Sequence, residues 1–202
     1  MSQVATDSGV PFRLNIRRVK LTEEQFDLLC QENRDFRFEL TAHQELEIMP
    51  PAGSETGWRN NEISYALTAW TKADGTGLAF DSSAGFTLRN GAIRSPDASW
   101  IDRDRWTALT QQQREKFAPL CPDFVVELRS RTDRLADLQE KMQEYLDNGA
   151  RLGWLLDPLD TRAYIYRPGQ PVEIRENPDT LSGESILPGF VLPVRELWGS
   201  HG

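Results

Sequence analysis

The sequence contains little of the chemistry that histidine and cysteine supply. Its 202 residues include only 2 histidines and 2 cysteines, which disfavours histidine-based triads, multi-histidine metal sites and a disulfide framework. Cys30 and Cys121 are far apart and each lies in apolar surroundings. We therefore expect reduced core thiols in a cytoplasmic protein.

Long apolar runs and an excess of basic residues are also absent. No stretch approaches the roughly 18 residues needed to cross a bilayer, and no basic region followed by an apolar core begins the chain, so we expect neither membrane insertion nor secretion. The 31 acidic and 23 basic side chains give a formal net charge of -8. This balance argues mildly against nucleic-acid binding, although a local basic site can override it.

The composition does support a folded core. Hydrophobic residues make up 39% of the chain, including 6 Trp and 9 Phe. This content excludes a chain that is intrinsically disordered throughout. We expect a single domain over residues 21–198, an irregular lead-in over residues 1–20 and a short tail over residues 199–202.

Local patterns predict alternating helices and strands. Thr22 and Gln25 have capping-box spacing before a first helix, Asn90-Gly91 is a hairpin signal, and Gly149 ends a later helix. Further predicted segments include a hairpin over 36–49, a helix over about 58–72, a return strand over 92–101, a buried strand over 124–128 and a helix over about 134–148. This order predicts an α/β (α+β) chain with a central mixed β-sheet flanked by helices.

Several ionisable residues occupy positions where apolar residues are expected. Glu127 interrupts the buried strand, Asp97 follows Pro96 in the predicted return strand, and Glu62 lies on the apolar stripe of a helix. Lys141 flanks the stripe of the later helix. Carboxylates without histidine or thiolate favour a hard cation such as Mg²⁺ or Mn²⁺.

A structural role is the alternative for each of these acids. A carboxylate near a strand end commonly binds a backbone amide or an arginine, here Arg129 or Arg131. Glu144 is expected on a solvated helix face. The residues alone therefore support a metal site and no more.

Five segments in order resemble the Uma2 family, also called DUF820, of the PD-(D/E)XK nuclease superfamily. The resemblance covers about residues 20–198 and rests on FELTAHQELEIMPP, ETGWRNNEI, IRSPDASWI, PDFVVELRSRTDRLADLQEKMQEYLDNGARLGWLLDP and LPGF. It implies a restriction-endonuclease-like core, a Mg²⁺ or Mn²⁺ cofactor, and hydrolysis of nucleic-acid phosphodiester bonds, with DNA as the expected substrate.

The resemblance also implies roles for individual residues. Pro96-Asp97 matches the PD motif and Glu127 the acid of the (D/E)XK motif, so Asp97 and Glu127 would bind the metal. Glu62 and Glu39 match supporting acidic positions.

One position departs from the superfamily motif. Arg129 stands where that motif has lysine, and a guanidinium stays protonated, so it could steady a phosphate but could not accept a proton from water. Lys141 matches a lysine of the following helix and is the candidate for a relocated catalytic lysine.

Three functions remain open at this stage. The first is a Mg²⁺-dependent endonuclease, and the second is a catalytically inactive nuclease fold that acts as a dimeric interaction module; a homodimer is expected in either case. Glycoside hydrolysis by paired acids ranks last because no aromatic-lined cleft pattern accompanies them. The expected phosphate contacts of the nuclease are Arg17, Arg18, Lys20, Arg59, Arg94, Arg129, Arg131 and Arg134.

Overall fold

The computed structural model describes residues 12–49 and 51–199, which form thirteen strands and six helices. The strands are β1 (Phe12–Asn15), β2 (Arg37–Leu40), β3 (Glu45–Met49), β4 (Gly77–Asp81), β5 (Phe86–Thr87), β6 (Ile93–Arg94), β7 (Ala98–Asp102), β8 (Phe124–Leu128), β9 (Leu152–Asp157), β10 (Arg162–Tyr166), β11 (Glu173–Glu176), β12 (Thr180–Ser182) and β13 (Val191–Pro193). The helices are α1 (Glu23–Glu32), α2 (Ser54–Asp74), α3 (Arg103–Thr107), α4 (Gln111–Arg114), α5 (Leu135–Asn148) and α6 (Arg195–Trp198).

The strands pair into two large sheets and one small one. The larger sheet has six strands in the order β11-β10-β9-β8-β7-β4, and the second has five in the order β1-β3-β2-β6-β5. Strands β8 and β9 are parallel, whereas β7 is antiparallel to β8, so the six-stranded sheet is mixed. Strands β12 and β13 form a separate ladder. The predicted α+β class with a central mixed sheet is confirmed.

The two long helices cover opposite faces of the six-stranded sheet. Successive side chains of a strand point to opposite faces. Accordingly Val126 of β8 packs in the cluster that contains Ile63 of α2, and Val125 packs in the cluster that contains Met142 of α5. Because β8 is buried along its whole length, its one carboxylate, Glu127, lies in the interior.

The predicted return strand over 92–101 is divided between the two large sheets. Strand β6 belongs to the five-stranded sheet and β7 to the six-stranded sheet. Residues 95–97 lie between them, and Pro96, which has no amide hydrogen, cannot donate to either ladder. This break places Asp97 where the chain crosses from one sheet to the other.

Some local predictions are confirmed and others are wrong. Helix α1 has the predicted capping box, with Thr22 and Gln25 each bonding the other's backbone. Helix α2 begins at Ser54, before the predicted start near residue 58, and β1 lies within the predicted irregular lead-in. Helix α5 begins at Leu135, and its cap residue Arg134 forms no side-chain cap hydrogen bond.

The predicted domain limits stay predictions, and residues 1–11 and 200–202 lie outside the described residues. Over the part of the chain that the structure describes, none of the helices has the combination of length and apolar character that crossing a membrane demands.

Gly149 offers a test of how helix α5 ends. Its φ of 118° is unfavourable for residues with a side chain, so we expect Gly149→Ala to lower the free energy of unfolding by about 1–2 kcal/mol. Gly57, within α2, has open space around a new methyl group, and Gly57→Ala should raise that free energy by about 0.5–1 kcal/mol. Urea unfolding of both variants measures the two changes, and equal effects would contradict the assigned conformations.

Candidate active site

A cavity of about 910 Å³ opens between residues of both large sheets. Its lining includes side chains from β2 and β3 of one sheet, from β8 of the other, and from helices α2 and α5. Four of the five sequence-predicted site residues line it, namely Glu39, Asp97, Glu127 and Lys141.

Asp97 is held by two donors. Its Oδ1 accepts a hydrogen bond from Asn60 Nδ2 at 3.1 Å, and its Oδ2 accepts one from the backbone N–H of Leu128 at 2.9 Å. Burial raises the pKa of Asp97 above its ordinary value, and the bond from Leu128 opposes that rise. Since Leu128 directly follows Glu127, this bond also fixes Asp97 beside the second predicted metal ligand.

Glu127 is a buried carboxylate with two donors on one oxygen. Its Oε1 accepts from the Tyr145 hydroxyl at 2.9 Å and lies 3.0 Å from Lys141 Nζ. Burial raises the pKa of Glu127 to about 7, with smaller contributions from the negative charges of Asp97 and Glu39, while Lys141 opposes the rise. The carboxyl group therefore changes protonation near neutral pH.

The arginines considered as structural partners of Glu127 are not bonded to it. Arg129 Nη1 instead lies 2.7 Å from Asp157 Oδ2 and 3.3 Å from Asp160 Oδ2. Arg131 forms no ion pair with the described residues. The cation beside Glu127 is thus Lys141, from the following helix.

Lys141 bridges two carboxylates from different sheets. Its Nζ lies 2.9 Å from Glu39 Oε1 and 3.0 Å from Glu127 Oε1, and only 12% of its side chain is exposed. Burial would lower the pKa of Lys141, but the two adjacent carboxylates outweigh it and raise the pKa above its ordinary value. The ammonium group is therefore charged at neutral pH.

Glu39 is an anion held in place from several directions. Its Oε1 accepts from the N–H of Ser95 at 3.0 Å and from Lys141, and its Oε2 accepts from Arg94 Nη1 at 3.0 Å. Burial acts to raise the pKa of Glu39, but Lys141 and Arg94 together lower it to about 2. Glu39 thus fixes the position of Lys141, with both of its oxygens engaged by protein donors.

Arg94 anchors a wider carboxylate cluster that the sequence analysis did not predict. Its guanidinium lies 2.6 Å from Glu47 Oε2 and 2.6 Å from Glu144 Oε2, in addition to Glu39. The prediction that Glu144 is solvated is therefore wrong. The strand pattern contained a usable signal, because Glu39 and Glu47 lie directly opposite each other on β2 and β3, and like charges so placed need a cation.

The structure does not bring Glu62 to this group. Glu62 is half-buried on α2 and does not line the cavity, whereas Asn60 of the same helix does. Residues two positions apart on a helix are separated by about 200° around the helix axis, so Asn60 and Glu62 face different directions. Asn60, which no sequence pattern singled out, is the residue of α2 that contacts Asp97.

The donor set suits a hard divalent cation. Asp97 and Glu127 supply carboxylate oxygens, each of which can accept more than one bond. Asn60 Oδ1 is buried and has no hydrogen-bond partner among the described residues. Within residues 12–49 and 51–199 no group of three or more His, Cys, Asp or Glu side chains is placed to hold a metal ion. Mg²⁺ is commonly bound by one or two carboxylates, with water and substrate phosphates completing its coordination.

Comparison with known proteins identifies the family. The Uma2 family, described as "Putative restriction endonuclease", matches residues 23–195. The chain belongs to the Uma2 family. A solved structure described as "a putative nuclease belonging to DUF820", from Anabaena variabilis, is 21% identical with a TM-score of 0.71, and the match covers 89% of this chain and 98% of that one. That likeness confirms the predicted fold. No curated protein matches the chain significantly.

A double-mutant cycle tests the buried ion pairs of this Uma2 protein. Lys141→Met leaves two buried carboxylates without their shared cation and should lower the free energy of unfolding by about 3–5 kcal/mol. Combining it with Glu39→Gln should cost about 1–3 kcal/mol less than the sum of the single changes. Urea unfolding measures all three variants, with Lys72→Met as an exposed control expected to change stability by less than about 0.5 kcal/mol. Strict additivity would show that Glu39 and Lys141 are energetically independent.

Proposed function

We propose that the protein is a metal-dependent endonuclease that hydrolyses nucleic-acid phosphodiester bonds with Mg²⁺ or Mn²⁺. This proposal rests on one observation. Asp97, Glu127 and Lys141 come from three separate segments of the chain and line the same cavity. Membership of the Uma2 family supports a nuclease-like activity.

Asp97 and Glu127 would hold the cation. When bound, such a cation activates water and offsets charge that develops on a phosphodiester. The contacts of Asn60 and the Leu128 N–H orient the Asp97 carboxylate, and the Tyr145 hydroxyl orients that of Glu127. These donors keep the two carboxylates directed into the cavity before any ligand arrives.

Lys141 acts as a charged hydrogen-bond donor in this proposal. Because its neighbours raise its pKa, it keeps its protons at neutral pH and cannot serve as a general base. An ammonium next to Glu127 can instead orient a water molecule or stabilise a phosphate oxygen. Arg129, at the position of the motif lysine, is engaged with Asp157 and leaves this role to Lys141.

The proposed setting is a cytoplasmic protein that acts on DNA as a homodimer. Cys30 and Cys121 are both free thiols, as a reducing compartment favours. Large apolar side chains are exposed near the described start of the chain, including Phe12 at 61% and Val19 at 71%, and they provide surface for a partner subunit.

Loss of either proposed metal ligand should abolish cleavage. We expect Asp97→Ala and Glu127→Gln to reduce Mg²⁺-dependent cleavage of plasmid and single-stranded DNA at least about 100-fold, or about 2.7 kcal/mol in the transition state. Glu140→Gln is the matched control, since Glu140 is exposed, precedes Lys141 and does not line the cavity. Wild-type rates in the Asp97→Ala variant would exclude the assigned site.

A catalytically inactive interaction module is the alternative, since Arg129 replaces the motif lysine. Calorimetric titration with Mn²⁺ separates the two functions, because the nuclease must bind the cation and the inactive module need not. Glu62→Gln belongs in the same assays. Loss of activity in that variant would restore the role that the family pattern implies for Glu62.

The raised pKa of Glu127 predicts that metal binding depends on pH. The cation binds the deprotonated carboxylate, so Mn²⁺ affinity should be nearly constant above pH 7 and fall about tenfold per unit below it. Near pH 7 binding should release a fraction of a proton, which calorimetry in buffers of different ionisation enthalpy detects. Affinity that stays constant from pH 7 down to the ordinary range of glutamate, about 4.3, would contradict the raised pKa.

A further inference from the structure

We propose that Arg37, Arg131 and Arg134 form a phosphate-binding subsite that holds the nucleic-acid backbone at this cavity. This subsite rests on the proposed function and adds the residues that would bind the phosphates of the substrate. It also specifies the manner of recognition: contacts to backbone phosphates, which carry no sequence information, rather than to base edges.

The first support is that the cavity arginines divide into two groups. Four of them are bound to carboxylates of this chain, namely Arg13, Arg59, Arg94 and Arg129. The other three, Arg37, Arg131 and Arg134, line the same cavity and form no ion pair or side-chain hydrogen bond with the described residues. Their charges are therefore available to a ligand.

The second support is where these three arginines stand relative to the carboxylates. Arg37 lies two residues before Glu39 on β2, so both side chains point to the same face of the strand. Its charge reaches Asp97, whose pKa it acts to lower. Arg131 and Arg134 are exposed and follow Glu127 by four and seven residues, in the segment that leads into α5.

The third support is the local charge balance. The cavity lining contains eight Lys and Arg side chains against seven Asp and Glu, within a chain whose net charge is -8. The cavity is therefore close to neutral in an otherwise acidic protein, so the approach of a polyanion is opposed less there than an even spread of the net charge would oppose it. The planar guanidinium matches phosphate geometry and stays charged at any relevant pH.

Other arginines that the sequence suggested as phosphate contacts differ from these three in the structure. Arg59, Arg94 and Arg129 are engaged by carboxylates. Arg18 is exposed but does not line the cavity. Arg37 was not a candidate, because only the fold brings β2 beside Asp97.

The test measures binding of a fluorescently labelled oligonucleotide, single-stranded and duplex, by anisotropy in EDTA so that no cleavage occurs. We compare the wild type with Arg37→Gln, Arg131→Gln, Arg134→Gln and the triple variant between about 50 and about 200 mM salt. Each substitution should reduce the slope of log affinity against log salt by about 0.9 on duplex and about 0.7 on single strands. The loss should be the same for oligonucleotides of different sequence.

Arg18→Gln is the matched control, because it removes the same charge from an exposed position outside the cavity. Its slope should equal that of the wild type. A slope lowered as much as in Arg131→Gln would indicate diffuse attraction and overturn the subsite, as would a triple variant that binds like the wild type. Thermal unfolding checks that the variants are folded, which we expect since none of the three side chains forms an ion pair or a side-chain hydrogen bond within the described part of the chain.

Catalysis gives a readout that separates this inference from the proposed function. If both hold, the triple variant should cleave with a raised KM and a nearly unchanged kcat, since uniform binding is what it loses. Arginine-dependent binding by a protein that neither cleaves nor binds Mn²⁺ would uphold the subsite and exclude the nuclease. Metal-dependent cleavage with an unaltered KM in the triple variant would uphold the nuclease and overturn the subsite.

Discussion

The ammonium group of Lys141 is the point on which the arrangement of this molecule depends. It lies within 3.0 Å of Glu39 on the five-stranded sheet and of Glu127 on the six-stranded sheet, and it is itself carried by helix α5. One buried cation therefore joins both sheets and a helix at the cavity. Because removing one partner of a largely buried ion pair leaves the other charge without compensation, these contacts require the two sheets and helix α5 to keep their relative positions.

Two glutamates in this cluster, Glu39 and Glu127, have pKa values that their surroundings shift in opposite directions. Glu39 accepts from Lys141, from Arg94 and from a backbone amide, and its pKa is lowered to about 2. Glu127 shares Lys141, but its burial, together with the negative charges of Asp97 and Glu39, raises its pKa to about 7. The first is a permanent anion that positions a lysine. The second is a buried carboxylate that changes protonation near neutral pH.

The distribution of charge in the structure also changes how the acidic composition is interpreted. A net charge of -8 seemed to argue against a nucleic-acid partner, but it is not spread evenly. The cavity gathers seven carboxylates and eight cations, and four of its arginines are used inside the protein to hold acids in place. The proposed phosphate contacts are the three cavity arginines that form no ion pair with the described residues.

The sequence by itself determined most of the helices and strands, and it supplied the ionisable residues that the fold brings to one cavity. Capping at Thr22, the buried run around Glu127 and the helix ended by Gly149 are local patterns, and local backbone preferences express them directly. Only the tertiary structure decided which polar side chains meet. Asn60 rather than Glu62 lines the cavity, because a stripe pattern does not resolve the rotation of a helix that finely. Arg94 meets acids from three elements because β6 shares a sheet with β2 and β3 and helix α5 brings Glu144 to the same guanidinium. Contacts between distant segments depend on packing geometry, which no local window of sequence contains.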